Sequence, residues 1–257
     1  MNSHTTMIMK KLTIIFYFDV VSPYACLSFF VLKRYRKLWN LDLQLKPVFL
    51  GGIMKLANNR PPGMHPLRSQ FLIKDFQRNK QYFHLPEMCD NIPDNFIPDV
   101  ARQSLQVQRF LSYTFDNMTP SSDNTTASDV EEEVVIEKKM ALLQSFFEGV
   151  HFDKEERCKN NNCVFINDAW ITKKALDSGV LDETFVQKAL VASKKDVTVK
   201  QTILTNTQDA VTVGGFGLPI MLVGENKEFY FGSDRFEQLA CNFNLVWNGP
   251  DPTRSHL

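Results

Sequence analysis

The run Leu12-Thr-Ile-Ile-Phe-Tyr-Phe18 is apolar throughout, rich in β-branched and aromatic residues, and ends at Asp19. That pattern predicts a central, buried strand. Ser22-Pro23 then opens a helix: serine is a preferred N-cap, and proline suits the first turn because its missing N–H would have no partner there. The helix is expected from Tyr24 to about Trp39, with Leu27, Val31 and Leu38 near one face. Leu41-Asp-Leu-Gln-Leu45 alternates strictly and reads as a second strand. Strand, helix and strand in this spacing form a βαβ unit with a right-handed crossover.

Near the other end, Leu218-Pro-Ile-Met-Leu-Val223 reads as a strand, Gly224-Glu-Asn-Lys227 as a turn and Glu228-Phe-Tyr-Phe231 as the hairpin partner. Gly232-Ser-Asp-Arg235 starts a last helix over Phe236 to about Phe243, and Asp234 with Glu237 has capping-box spacing. A βαβ unit followed far along the chain by a hairpin and a helix is the thioredoxin order, split by an insertion. Between them, Leu67–Phe83, Asp99–Phe115, Val130–Phe147, Ala169–Ser178 and Asp182–Ala192 carry helical spacing and boundary signals. Residues 120–128 and 159–162 are polar and turn-forming, and Glu131 to Glu133 suit a solvated helix N-terminus.

Composition narrows the picture. The 257 residues suffice for one large domain or a core domain carrying an insertion, and 44% hydrophobic with 23% charged residues is an ordinary globular balance. Lys plus Arg (29) equals Asp plus Glu (29), so no net field points to nucleic acid or acidic lipid. Cys26, Cys89, Cys158, Cys163 and Cys241 are scattered and odd in number, which argues against a disulfide framework and for a reducing compartment. Cys158 and Cys163 lack a matching ligand pair, the five histidines form no ligand cluster, and no Gly-rich phosphate loop occurs. No metal or nucleotide cofactor is therefore implied. No stretch is long enough to cross a bilayer, and the short run after Lys10-Lys11 reads as a strand, not a signal peptide. Asn117 and Asn124 begin N-x-T triplets, read as chance matches without secretion. Ser255-His256-Leu257 is a peroxisomal address of the S-K-L kind, with a chance ending as the alternative.

Five motifs stand in order: Ser22-Pro-Tyr24, Gly52-Ile-Met-Lys55, Asn59-Arg-Pro-Pro-Gly63, Phe216-Gly-Leu-Pro219 and Gly232-Ser-Asp-Arg235. Together they resemble the kappa class of glutathione transferases, with kinship to 2-hydroxychromene-2-carboxylate isomerases and, more remotely, DsbA-type oxidoreductases. The resemblance spans about Lys11 to Gly249 and is weakest between Asp116 and Asn167. It implies an α/β fold: a thioredoxin-like domain (1–64 and 200–257) with an inserted all-helical, DsbA-like domain (65–199). It also implies a homodimer, and a peroxisomal location with the mitochondrial matrix or cytosol as alternatives.

Ser22 stands where a redox relative carries its attacking cysteine, so no dithiol cycle runs through Ser22-Pro23-Tyr24-Ala25. The same corner can stabilise a thiolate that a ligand brings, because helix N–H groups and the dipole favour negative charge. Lowering a thiol pKa from ~8.5 by ~2 units requires roughly 2.7 kcal/mol, within reach of a charge-assisted hydrogen bond plus the dipole. The resemblance implies Ser22 as that donor, with Ser22, Pro23, Tyr24, Asn59, Leu218, Pro219, Ser233, Asp234 and Arg235 binding glutathione. Leu218-Pro219 corresponds to the cis-proline element and would pair with the cysteinyl backbone. Ser233 would take the γ-glutamyl carboxylate, Asp234 its ammonium, with Arg235 assisting; Arg68 is a further candidate for the glycyl carboxylate. The plain alternatives are a helix cap for Ser22, Ser233 and Asp234, and a loop asparagine for Asn59. Ala25 and Cys26 depart from the kappa pattern, and Cys26 reads as a buried, inert thiol, about 100° of helix from Ser22.

The activity implied is transfer of glutathione, a co-substrate and not a cofactor, to a small hydrophobic electrophile, with reduction of organic hydroperoxides as a secondary capacity. Two rivals remain: a glutathione-dependent isomerase, and a glutathione-binding chaperone or adaptor whose catalysis has decayed. A disulfide oxidoreductase using Cys26 ranks below both.

Overall fold

The computed structural model of the chain describes residues 11–118 and 129–254. β1 (Leu12–Phe18) runs through the middle of the sheet, parallel to β2 (Leu41–Pro47) on one side. On the other side it runs antiparallel to β3 (Ile220–Val223), which forms a hairpin with β4 (Glu228–Phe231). The order β2-β1-β3-β4 among the described residues is that of a thioredoxin-like sheet. Ile14, Phe16 and Phe18 are fully buried and Tyr17 nearly so, as a strand covered on both faces requires. Phe18 meets Phe147 at 6.1 Å between ring centroids, and Phe29 meets it at 5.3 Å, joining sheet and helices in one aromatic core.

α1 (Pro23–Tyr35) forms the crossover and stops four residues short of Trp39. Leu38, expected near the buried face, is 65% exposed. Beyond Tyr35 the helical register no longer holds, and Trp39 instead turns in against Tyr35 at 4.2 Å and donates from Nε1 to the Val246 carbonyl. α2 (Leu50–Leu56) follows β2. α3 (Pro66–Tyr82), α4 (Ala101–Asn117), α5 (Asp129–His151), α7 (Asp168–Asp177) and α8 (Glu183–Lys195) occupy the expected helical segments; α6 (Lys154–Lys159) is a short addition. Among the described residues no helix is long and apolar enough to cross a membrane.

α9 (Val197–Thr212) has no counterpart among the sequence-derived helices. Its Val, Ile and Thr content lowers helix propensity, and packing overrides that preference. Asp196 caps it by accepting from the Thr198 and Val199 amides. Thr207 Oγ1 accepts from Phe49 N at 3.0 Å, and Asn206 donates to the Pro47 carbonyl, tying α9 to the end of β2. Residue 200, the expected resumption of the thioredoxin-like part, lies inside α9.

The last helix, α10 (Phe236–Asn242), corrects one reading: its N-cap is Arg235 and no side chain caps it, so Asp234 and Glu237 form no capping box. Gly232 takes φ +99°, and a Cβ there would lie 2.7 Å from Asp234 Oδ1. The Asp234 carboxylate turns back over that glycine toward Arg235 Nη1 (3.4 Å) and away from the helix amides. β3 likewise begins at Ile220, two residues later than expected.

Candidate active site

Ser22 is the N-cap of α1 and only 3% exposed. Its Oγ accepts from Ala25 N at 3.2 Å and donates, at a long 3.5 Å, to the Leu218 carbonyl. Capping therefore uses the hydroxyl as an acceptor and leaves its proton as the adjustable partner. The Leu218–Pro219 peptide is cis, and the Ser22–Leu218 contact brings two motifs separated by 196 residues to one place. The chain leading there is packed against α9: a Cβ on Gly215 would lie 2.4 Å from the Ala210 carbonyl and 2.4 Å from Ile220 Cδ1. Only glycine allows that approach.

Asn59 braces the same loop. Its Nδ2 donates to the Phe216 carbonyl at 2.7 Å, and its Oδ1 accepts from Arg60 N at 2.8 Å. Phe216 packs against Phe231, the rings tilted by 37° with centroids 4.3 Å apart. Ser233 is buried, Asp234 is exposed and Arg235 is half-buried. Arg68 is exposed in the first turn of α3.

Tyr24 donates from its hydroxyl to Asp75 Oδ2 on α3 at 2.6 Å, and Asn79 Nδ2 donates to the same oxygen at 2.9 Å. Burial, the Asp75 hydrogen bond and charge, and the charge of Asp234 all push the Tyr24 phenol well above its ordinary range. Tyr24 thus keeps its proton, with that proton committed to Asp75, whereas the Ser22 hydroxyl proton is held only by the long contact to the Leu218 carbonyl. Pro23 is buried at the first turn of α1. Cys26 is fully buried, and burial first, then Glu148, raises its thiol pKa well above the ordinary value. That is an unreactive thiol.

Two acids escaped the sequence reading. Asp75 sits among polar residues of α3 with no local signal. Asp19, noted only as the end of an apolar run, is fully buried beneath the corner. Burial raises its pKa from 3.8 to about 6 against the lowering effect of hydrogen bonds from Leu50, Gln108, Val21 and Ser104. His151 on α5 is nearby, its Nε2 2.9 Å from the Val20 carbonyl, and burial lowers its pKa to about 3. No group of three or more His, Cys, Asp or Glu among the described residues is arranged to hold a metal.

Residues 13–130 match the DSBA-like thioredoxin domain family. The solved structure of a 2-hydroxychromene-2-carboxylate isomerase superposes with a TM-score of 0.64 over 90% of this chain and 94% of that one, at 16% identity, a likeness of fold. Over 243 residues the chain is 29% identical to glutathione S-transferase kappa 1 of Homo sapiens, covering 93% of this chain and 94% of that protein. Against glutathione S-transferase kappa 1 of Rattus norvegicus the identity is 30% over 239 residues, 92% of each chain. With that similarity running nearly end to end, and a capped serine facing a cis-proline loop, the chain belongs to the kappa glutathione S-transferase family.

Proposed function

We propose that the protein transfers the sulfur of glutathione to small apolar electrophiles and uses the same thiolate to reduce organic hydroperoxides. The observation that carries this is the Ser22 hydroxyl, which caps α1 through a lone pair while holding its proton only loosely on the Leu218 carbonyl. A sulfur anion at this corner takes that proton as a charge-assisted hydrogen bond, worth more than the long neutral one it replaces. The thiolate then attacks the carbon of a chlorinated aromatic: the C–S bond forms, chloride leaves, and the thiol proton goes to solvent. With a hydroperoxide, sulfur takes the distal oxygen and releases an alcohol; a second glutathione then gives the disulfide and water.

Leu218 and Pro219 suit the cysteinyl part; Ser233, Asp234 and Arg235 suit the γ-glutamyl part; Asn59, Pro23 and Tyr24 hold the walls between. Exposed Met64, Leu67, Phe71 and Phe216 supply apolar surface for the electrophile. Phe71 lies one helical turn before Asp75, hence on the side of α3 that meets Tyr24. Our reading includes a homodimer, a thioredoxin-like part (1–64 and 200–257) with a helical insertion (65–199), and peroxisomal delivery through Ser255-His256-Leu257, which lie outside the described residues. Light scattering tests the dimer, and a fluorescent fusion with and without the tripeptide tests the address.

The decisive assay is conjugation of a chlorinated aromatic by the wild type and Ser22→Ala. A rate and glutathione ionisation unchanged by the substitution would remove Ser22 from the mechanism. Glutathione recovered unconsumed with a rearranged product would establish the isomerase instead. Binding without turnover across electrophiles would leave a glutathione-binding protein.

A further inference from the structure

We infer that Asp19 is a positioning residue for the glutathione-activating corner, coupling Ser22 to the helical layer through Ser104 and Gln108 on α4. This rests on the glutathione reading above and extends it to a residue that touches no substrate.

The donors to Asp19 come from three separate elements. Val21 N reaches Oδ1 at 3.3 Å from the corner itself, and Leu50 N reaches Oδ2 at 2.9 Å from the first residue of α2. Ser104 Oγ lies 3.0 Å from Oδ2 on α4, 85 residues away in sequence. Gln108, one turn further along α4, sets its Nε2 3.4 Å from the Phe18 carbonyl, next to Asp19, and its amide helps to lower the Asp19 pKa. Meanwhile the Asp19 carbonyl accepts from Ser22 N at 2.9 Å, so the residue holds the serine through its main chain and the rest of the site through its side chain. α2 leads directly to Asn59, which braces the loop carrying Leu218. One carboxylate thus sets the spacing between the Ser22 hydroxyl and the backbone that would face it across the sulfur.

A carboxyl group in such a dry place is costly, and all the groups acting on it are neutral donors. His151, the titratable group approaching from α5, bonds the Val20 carbonyl and not the carboxylate, and burial keeps it neutral. An apolar residue would pack here without that cost, but it could not hold α2, α4 and the corner at fixed separation. The network is also not closed: the Gln108 Oε1 atom is buried and has no hydrogen-bond partner. Ser104 Oγ is within reach of both Asp19 and the Ala101 carbonyl, at 3.2 Å. The Ser104 hydroxyl can therefore serve the carboxylate or turn to the Ala101 carbonyl, so the tie depends on position 19 being an acceptor.

The test titrates the ultraviolet band of bound glutathione thiolate against pH in the wild type, Asp19→Asn and Ser104→Ala, with kcat and KM from conjugation. An amide at position 19 sets an N–H group against one of the N–H or O–H donors and loosens the corner. The expected result is a bound-thiol pKa about one unit higher in Asp19→Asn, a roughly tenfold loss of thiolate below it, with kcat falling and the electrophile KM unchanged. Ser104→Ala moves the same readouts in the same direction by less. If Asp19→Asn lowers only the melting temperature and leaves thiol pKa and kcat at wild-type values, the inference is overturned. If Asp19→Asn does not fold, an unchanged thiol pKa in Ser104→Ala overturns it. A wild type with no thiolate band at all overturns the glutathione reading and this inference with it, whereas an intact wild-type band untouched by the substitutions overturns the inference alone.

Discussion

At the Ser22 end of the proposed site, the main side chains already have partners within the fold. Ser22 caps α1 by accepting from Ala25 N, Asn59 spans to Phe216, Tyr24 is held by Asp75, and Asp19 lies dry beneath them. At the Gly232–Arg235 end, Asp234 is exposed, its nearest cation is the neighbouring Arg235 at 3.4 Å, and α10 starts without a side-chain cap. The contrast separates two jobs. The end that would hold a sulfur atom to a fraction of an ångström is built on preformed hydrogen bonds, those of Ser22 and Asp19 buried, because chemistry is sensitive to geometry. The end that need only recognise a charged amino-acid head works in high dielectric, where each contact is weak and can form on binding.

The strongest way to separate the ends is through pH, because only the Ser22 end rests on buried titratable groups of this kind. Asp19 has its pKa raised from 3.8 to about 6, so its contribution to stability is full below pH 3.8 and is lost as pH rises through 6. His151 has its pKa lowered from 6.5 to about 3, so its contribution is full above 6.5 and is lost as pH falls toward 3. Between pH 3.8 and 6 the two slopes oppose and nearly cancel. Asp19→Asn removes one of them, and its stability should fall relative to wild type by about 3 kcal/mol from pH 6 to pH 4. Urea unfolding at several pH values measures this, and parallel curves for the two proteins would contradict it.

Ser22→Ala comes next. Losing a hydrogen bond to a charged sulfur costs about 1.5–3 kcal/mol, a drop of roughly 10- to 100-fold in kcat/KM with a raised bound-thiol pKa. A smaller effect is expected for Asn59→Ala, which removes one exposed brace worth about 1 kcal/mol, or roughly fivefold in kcat/KM. Its signature is a change in both kcat and KM, since the loop bearing Leu218 moves. The smallest belongs to the open end: Asp234→Asn should raise the glutathione KM about two- to threefold and leave kcat alone. A tenfold fall in kcat for Asp234→Asn would erase the distinction between the two ends.

How much of this was legible in the chain depends on the distance over which each feature is decided. β1, the Ser22-Pro23 start of α1, β2, and the β3–β4 hairpin follow from neighbours within a few residues, through side-chain alternation, a cap and a turn. The Leu218–Pro219 and Gly232–Arg235 motifs were recognisable only through the family resemblance, and the meeting of Leu218 with Ser22 needed the fold. The end of α1 was not, because Trp39 is drawn away by Val246 and Trp247 near the other terminus. α9 was invisible to propensity, since its β-branched residues are helical only because β2, α2 and α4 hold them. The capping box at Asp234 failed because a left-handed glycine redirected the carboxylate.

The sequence by itself determined the strand-to-helix corner and the serine on it, since each rests on contacts three or four residues long, and the order of the five motifs carried the family resemblance. Only the tertiary structure decided that Tyr24 donates its hydroxyl hydrogen bond to Asp75, 51 residues away, and that Asp19 is gripped by Ser104, 85 residues away. Those pairings depend on which helices pack above the corner, and burial, which no local pattern encodes, is what turns an ordinary aspartate into a buried tie between them.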